Sequence, residues 1–188
     1  MHPNVAKIVE LLPPPEHPQF NRGDWREVEA EIGTPLPQDF MDFNETYGVV
    51  NICNVLWLHN PFYFVGKDAH IPLVMPKQSL REIIEAELED MNSISGGRDN
   101  VPFPDFPAPG GLLPCGATDC GDLVFWITEG EPDDWGVFFW PFGGRPTFTM
   151  RDSNITAFLW GLLTLNSPVF PEGLAREPFE PENRRISQ

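Results

Sequence analysis

Gly110–Pro141 reads GGLLPCGATDCGDLVFWITEGEPDDWGVFFWP, and the reading of this stretch decides the fold. It holds three of the six tryptophans, two of the three cysteines, and six carboxylates with no lysine or arginine. Heavily apolar runs alternate with Gly, Asp and Pro turns, the pattern of strands joined by tight connections. The expected strands are Leu112–Pro114, Asp122–Thr128 and Trp135–Trp140, arranged as an antiparallel meander, with a further strand at Thr147–Met150. Cys115 and Cys120 then flank a turn.

Working outward, helical periodicity brackets this meander. Asp24 followed by Glu27 is a capping-box pattern, Trp25, Val28 and Ile32 share one helical face, and Gly33 can close that helix in a left-handed conformation. Pro37 suits the first position of a second helix running to Tyr47, with Phe40, Phe43 and Tyr47 on one face and Gly48 as the stop. Short strands are expected at Val49–Ile52 and Val55–Leu58, with Asn60-Pro61 as a turn. Ser79 and Glu82 open a third helix, whose stripe is Leu80, Ile83, Ile84, Leu88 and Met91 and which Ser95-Gly96-Gly97 ends. A last helix begins near Ser153, with Ile155, Phe158, Leu159, Leu162 and Leu163 apolar. Strands come in adjacent runs without regular strand–helix alternation. That order predicts a single α+β domain with a largely antiparallel sheet flanked by helices.

Outside the domain, the expected boundaries are a proline-rich leader at 1–23, a domain at 24–166 and a proline-rich charged tail at 167–188. In the leader, Val5, Ile8, Val9 and Leu12 can form a turn or two of helix before Pro13-Pro14-Pro15. No signal peptide and no apolar run of membrane-spanning length is visible, and an odd cysteine count gives no disulfide framework. A reduced cytoplasmic setting is the default.

The formal net charge is −16. Nucleic-acid binding requires cationic groups that displace counterions, so this balance argues against it and favours cationic protein partners. Catalytic signatures are missing: there is no GxSxG elbow, HExxH, P-loop or GxGxxG. His2 and His17 lie in the leader, and His59 and His70 sit near turns, where solvation is the simpler reading. Cys53, Cys115 and Cys120 lack the paired spacing of a zinc site and read as small thiols in strands or turns. Asp119 and Asp122 fit hairpin turns better than a cation loop, which needs about six oxygens. No metal and no cofactor is expected.

Trp25 and Trp126 read as core. Trp135 follows the acidic turn Glu129-Gly130-Glu131-Pro132-Asp133-Asp134 and either packs inward or stands at an interface. Between Arg98 and Arg145 lie eight carboxylates and no cation. Folding should place these turns on common sheet edges, so that their charges add into one field that accelerates encounter with a basic partner.

Several of these pieces together resemble the Smi1/Knr4 family of the SUKH superfamily: Trp25-Arg26-Glu27-Val28-Glu29 with Ile32-Gly33, Leu36-Pro37, Phe40 to Phe43, and Tyr47-Gly48. Later come Gly111-Leu112-Leu113-Pro114, Gly121-Asp122, Trp126, Pro132-Asp133-Asp134-Trp135, and a closing helix with Phe158-Leu159, so the resemblance spans about residues 24–165. It implies an α+β domain and a non-catalytic protein-binding role. Bacterial members look like immunity proteins that neutralise toxins such as nucleases, and fungal relatives act as regulatory interaction proteins.

The expected function is therefore an immunity protein of a toxin–antitoxin or contact-dependent system, active as a monomer or weak dimer. It would cover a basic toxin domain with Asp119, Asp122, Glu129, Glu131, Asp133 and Asp134, and Trp135 as anchor. A regulatory scaffold for an endogenous partner is the alternative, and a metal-dependent hydrolase a distant third.

Overall fold

The apolar runs of Gly110–Pro141 form the middle of a six-stranded sheet in which every neighbouring pair is antiparallel and the strand order follows the chain. The computed structural model describes residues 1–52, 55–63, 80–93, 101–143 and 145–164. In chain order the elements are α1 (Pro3–Leu11), α2 (Trp25–Ile32), α3 (Gln38–Tyr47), β1 (Asn51–Ile52), β2 (Leu56–Leu58), α4 (Leu80–Ser93), β3 (Leu112–Thr118), β4 (Leu123–Ile127), β5 (Gly136–Trp140), β6 (Phe148–Met150) and α5 (Ile155–Leu163), with a 3-10 turn at Pro132–Asp134. This is the expected single-domain α+β fold.

β4 and β5 are buried at every position. An antiparallel strand with one wet face alternates apolar and polar residues, and a strand covered on both faces reads as a continuous apolar run. Leu113, Cys115, Val124, Trp126, Val137 and Phe139 join a cluster with residues of α1, α2, α3 and α5. The intervening Leu112, Leu123, Phe125, Ile127, Phe138 and Trp140 pack with Phe103 and Met91 on the other face. α4 straddles the two layers: Ile84 belongs to the first cluster, Met91 to the second, and Leu88 touches both.

β3 is longer than its sequence pattern predicts. The run continues through Gly116-Ala117-Thr118, because a bulge between Pro114 and Gly116 absorbs one residue and lets pairing resume at Gly116 opposite Val124. Cys115 therefore lies mid-strand rather than beside a turn. Gly116 is required there: a Cβ would stand 2.6 Å from the Trp57 carbonyl oxygen of the neighbouring strand.

Helix ends follow the capping logic with two adjustments. The Arg26 amide donates to the Asp24 carboxylate (2.9 Å), and Gly33 closes α2 at φ 88°. Pro37 is the residue before α3 rather than its first, so α3 starts at Gln38 with no cap from its own N-cap side chain. α5 starts at Ile155, and its cap is Asn154, whose side chain accepts from the Ala157 amide at 2.9 Å. Ser79 and Ser95-Gly96-Gly97, expected to bound α4, lie outside the described residues.

Residues 1–23, read as a leader, carry α1, whose Val5 and Ile8 are fully buried in the same core as α3 and α5. The Tyr47 hydroxyl donates to the Leu12 carbonyl at 2.6 Å, tying the end of α1 to α3.

Asp39 joins two helix N-termini. It is 2% exposed and accepts from the Phe40 amide (2.9 Å), the Thr156 amide (3.0 Å) and the Thr156 hydroxyl (2.8 Å), linking the first turns of α3 and α5. Burial pushes its pKa up, and the hydrogen bonds from Thr156, the nearby His2 and the Phe40 amide pull it back only in part. The folded state thus binds this proton more tightly than the unfolded chain. The contribution of Asp39 to stability is full below the ordinary aspartate range and is lost as pH rises through the folded value. Thr156→Val removes the hydroxyl donor. We expect Asp39 to titrate higher still by carbon-detected NMR, and urea unfolding near pH 7 to show a loss of about 1 kcal/mol. An unchanged or lower Asp39 midpoint would sink this account.

Candidate partner-binding surface

Successive turns of a meander fall at alternate ends of the sheet, and this corrects the expectation of one shared acidic edge. Asp119 and Asp122 sit in the β3–β4 turn, and Glu129, Glu131, Asp133, Asp134 and Trp135 lie in or close the β4–β5 connection. The two groups are separated by the length of β4, five residues or roughly 17 Å at about 3.4 Å per residue. Their charges do not add into a single close-range field.

At the β3–β4 end, the turn is a closed hydrogen-bond unit. The Thr118 amide donates to the Asp122 carbonyl (2.8 Å), the Asp122 amide to the Thr118 hydroxyl (3.0 Å), and Gly121 takes φ 85°. Asp122 is 2% exposed. Its carboxylate accepts from the Phe142 amide (2.9 Å) and from the Arg145 guanidinium, so it anchors the segment that follows β5. Asp119 is exposed and accepts from Trp57 Nε1 at 2.8 Å.

At the β4–β5 end, Glu129, Glu131, Asp133 and Asp134 are all exposed. Asp133 accepts from the Gln38 amide at 2.7 Å. It thereby serves as the cap that Pro37 cannot supply, at the positive end of the α3 dipole. Glu129 pairs with Arg151. Trp135 is 3% exposed and turned inward, its ring 6.0 Å from that of Trp126 and its Nε1 donating to the Gly130 carbonyl at 3.4 Å. Of the two readings its sequence context allowed, the structure takes the packed one. Glu129, Asp134 and Arg151, with Ile127 and Gly136, line a small polar cleft of about 220 Å³.

Sequence reasoning missed the cations. Arg145 and Arg151 stand just beyond the cation-free window, and each folds back onto one of its carboxylates. It also missed Phe142, whose setting between Pro141 and Gly143-Gly144 marks an aromatic held in a turn rather than in a strand.

His59 is not solvated as expected: Nε2 lies 2.9 Å from Glu87 Oε2, and both side chains are largely covered. The residues lie 28 apart on different elements, so no local pattern could reveal the pair. His70 and Cys53 lie outside the described residues. Among the described residues no group of His, Cys, Asp and Glu is placed to hold a metal ion, and no helix is long and apolar enough to cross a membrane.

These features define an α+β meander protein in which buried carboxylates clamp the fold and an exposed acidic connection projects from one end. The sequence profile of the SMI1 / KNR4 family (SUKH-1) matches residues 20–160, and the chain belongs to this family. No curated protein and no solved structure matched the chain.

The two described cysteines should differ in reactivity. Cys115 is fully buried, and burial drives its thiol pKa well up, with the negative charges of Glu87 and Asp39 adding to the shift. Cys120 is exposed. With Cys53 replaced by serine, a thiol reagent at pH 8 should label Cys120 in the native protein and reach Cys115 only on unfolding. Native-state labelling of both at equal rates would contradict the two-layer packing.

Proposed function

We propose that this chain is a non-catalytic immunity-type protein that acts in the cytoplasm by binding and neutralising a cognate toxin with a basic active-site cleft, such as a nuclease. Membership of the SMI1 / KNR4 family supports the class. The observation that carries the surface assignment is the exposed run Glu129–Asp134, four carboxylates in one short connection with Arg151 as the cation paired against it.

Rigidity makes that run a usable surface. Trp135 packs beneath it, Asp133 ties it to α3, and the 3-10 turn fixes Pro132–Asp134. Glu131 and Asp134 then face solvent from a held backbone, which lowers the ordering cost of binding. A phosphate-binding cleft carries lysines and arginines, and carboxylates on a fixed turn can occupy it in place of the nucleic acid. An incoming basic side chain can also compete with Arg151 for Glu129. Trp135 contributes as a positioning residue; Asp119 and Asp122, at the opposite end of the sheet, stand outside this surface.

The test is association with the protein encoded in the adjacent reading frame. Replacing Glu129, Glu131 and Asp134 together by lysine should slow association about tenfold or more at low salt. Raising the salt should narrow the gap. The unfolding midpoint should move little, since these side chains are exposed. An unchanged association rate refutes this surface, and no binding at all by the unmodified chain refutes the immunity reading.

A further inference from the structure

The end of the sheet opposite Glu129–Asp134 carries a groove of about 430 Å³ between α4 and the strand ends. Its apolar lining comes from Ile83 and Ala86 on α4 and from Ala117, Leu123, Trp140 and Phe142. Phe142 is 50% exposed, and the other large exposed apolar residues among those described, Met1 and Leu11, lie on or beside α1.

Phe142 is held in place rather than left loose. Its amide donates to the buried Asp122 carboxylate at 2.9 Å, and its carbonyl accepts from Arg145 Nε at 3.3 Å. Its ring lies over Gly121, where an added Cβ would stand 3.6 Å from it. A buried carboxylate, an arginine and a left-handed glycine thus converge on presenting one aromatic ring to solvent. The charged groups lining the groove among the described residues are the carboxylates Glu87 and Asp90, and exposed Asp119 stands in the adjoining turn. Arg145, in the segment that follows Phe142, is committed to Asp122.

We propose that this groove docks a basic partner protein. The docking segment sets an aliphatic or aromatic side chain against Trp140 and Phe142 and a lysine or arginine against the exposed Asp90, Glu87 being already engaged by His59. A second copy of this chain is a poor occupant, because each copy carries a formal charge of −16 and like charges brought together oppose docking. Apolar anchors in a desolvated pocket with charged groups at the rim are the usual source of binding energy at such sites. The groove stands apart from the acidic connection at the other end, so it goes beyond the surface assigned above.

The probe is a short amphipathic peptide of leucine and lysine, compared with the same peptide carrying glutamate in place of lysine. Binding to the full chain is read by fluorescence anisotropy at low salt. The leucine–lysine peptide should bind and the glutamate version should not. Phe142→Ser and Asp90→Lys should each weaken binding about tenfold or more. Glu31→Lys, a matched charge change on α2, should leave the affinity unchanged. A benzoylphenylalanine at position 142 should crosslink to the peptide, and circular dichroism confirms that each variant is folded. Equal losses for Asp90→Lys and Glu31→Lys, or none for Phe142→Ser, overturn the proposal by showing only diffuse charge attraction. Loss confined to the Glu129, Glu131 and Asp134 variant moves the peptide to the opposite end and overturns the groove while leaving the immunity surface standing. Crosslinking of position 142 to a second copy, or within its own chain, overturns it by assigning the groove another occupant.

Discussion

The burial of β3, β4 and β5 on both faces is the constraint from which the rest of this molecule follows. A meander has no crossover helices of its own, so both covers must come from elsewhere in the chain. α1, α2, α3 and α5 supply one, and Phe103 with the C-terminal part of α4 supplies the other. A strand buried on both faces leaves side chains little access to solvent along its length. Polar groups that can meet a partner are therefore displaced to the strand ends.

That displacement explains the double life of the carboxylates. Asp39 and Asp122 are buried, and each gathers several donors from separate elements: α3 and α5 for the first, the Phe142 amide and Arg145 for the second. A buried carboxylate without such partners would be strongly destabilising, and with them it fixes relative positions of elements far apart in sequence. Asp133 does similar work from the surface by capping α3. The acidic composition is thus not uniform surface charge. Part of it is internal joinery, and the solvent-facing remainder is concentrated at defined places.

The fold was legible because its signals are local: capping residues before α2, glycines after α2 and α3, and dense apolar runs between turns. The continuous runs in β4 and β5 show strand length without showing which residue faces which layer, because two-sided burial erases alternation. The bulge at Cys115 was hidden for the same reason, since Gly116-Ala117 resembles a turn until Trp57 is seen to occupy the space beside it. The candidate surface was less legible. The carboxylates were visible as a set, yet their division between two ends is a property of connectivity. Their neutralising partners, Arg145 and Arg151, belong to the segments that follow β5 and β6. Pairings such as His59 with Glu87 depend on α4 lying beside the end of β2, which no spacing encodes.

A meander with both faces covered also separates stability from recognition. The side chains of Glu129, Glu131, Asp133 and Asp134 in the β4–β5 connection are exposed, while Trp135 beside them is packed against Trp126. The charge of this connection can change without disturbing the layers, provided Asp133 keeps its bond to α3 and Trp135 stays seated. The β3–β4 end is built differently. Asp122 is both a buried clamp and the group that presents Phe142, so fold and surface are coupled there through one side chain. A partner that reads the Glu129–Asp134 end can be exchanged by a few surface mutations. A partner that reads Phe142 is bound to geometry the fold itself requires, and that end should accept far fewer changes.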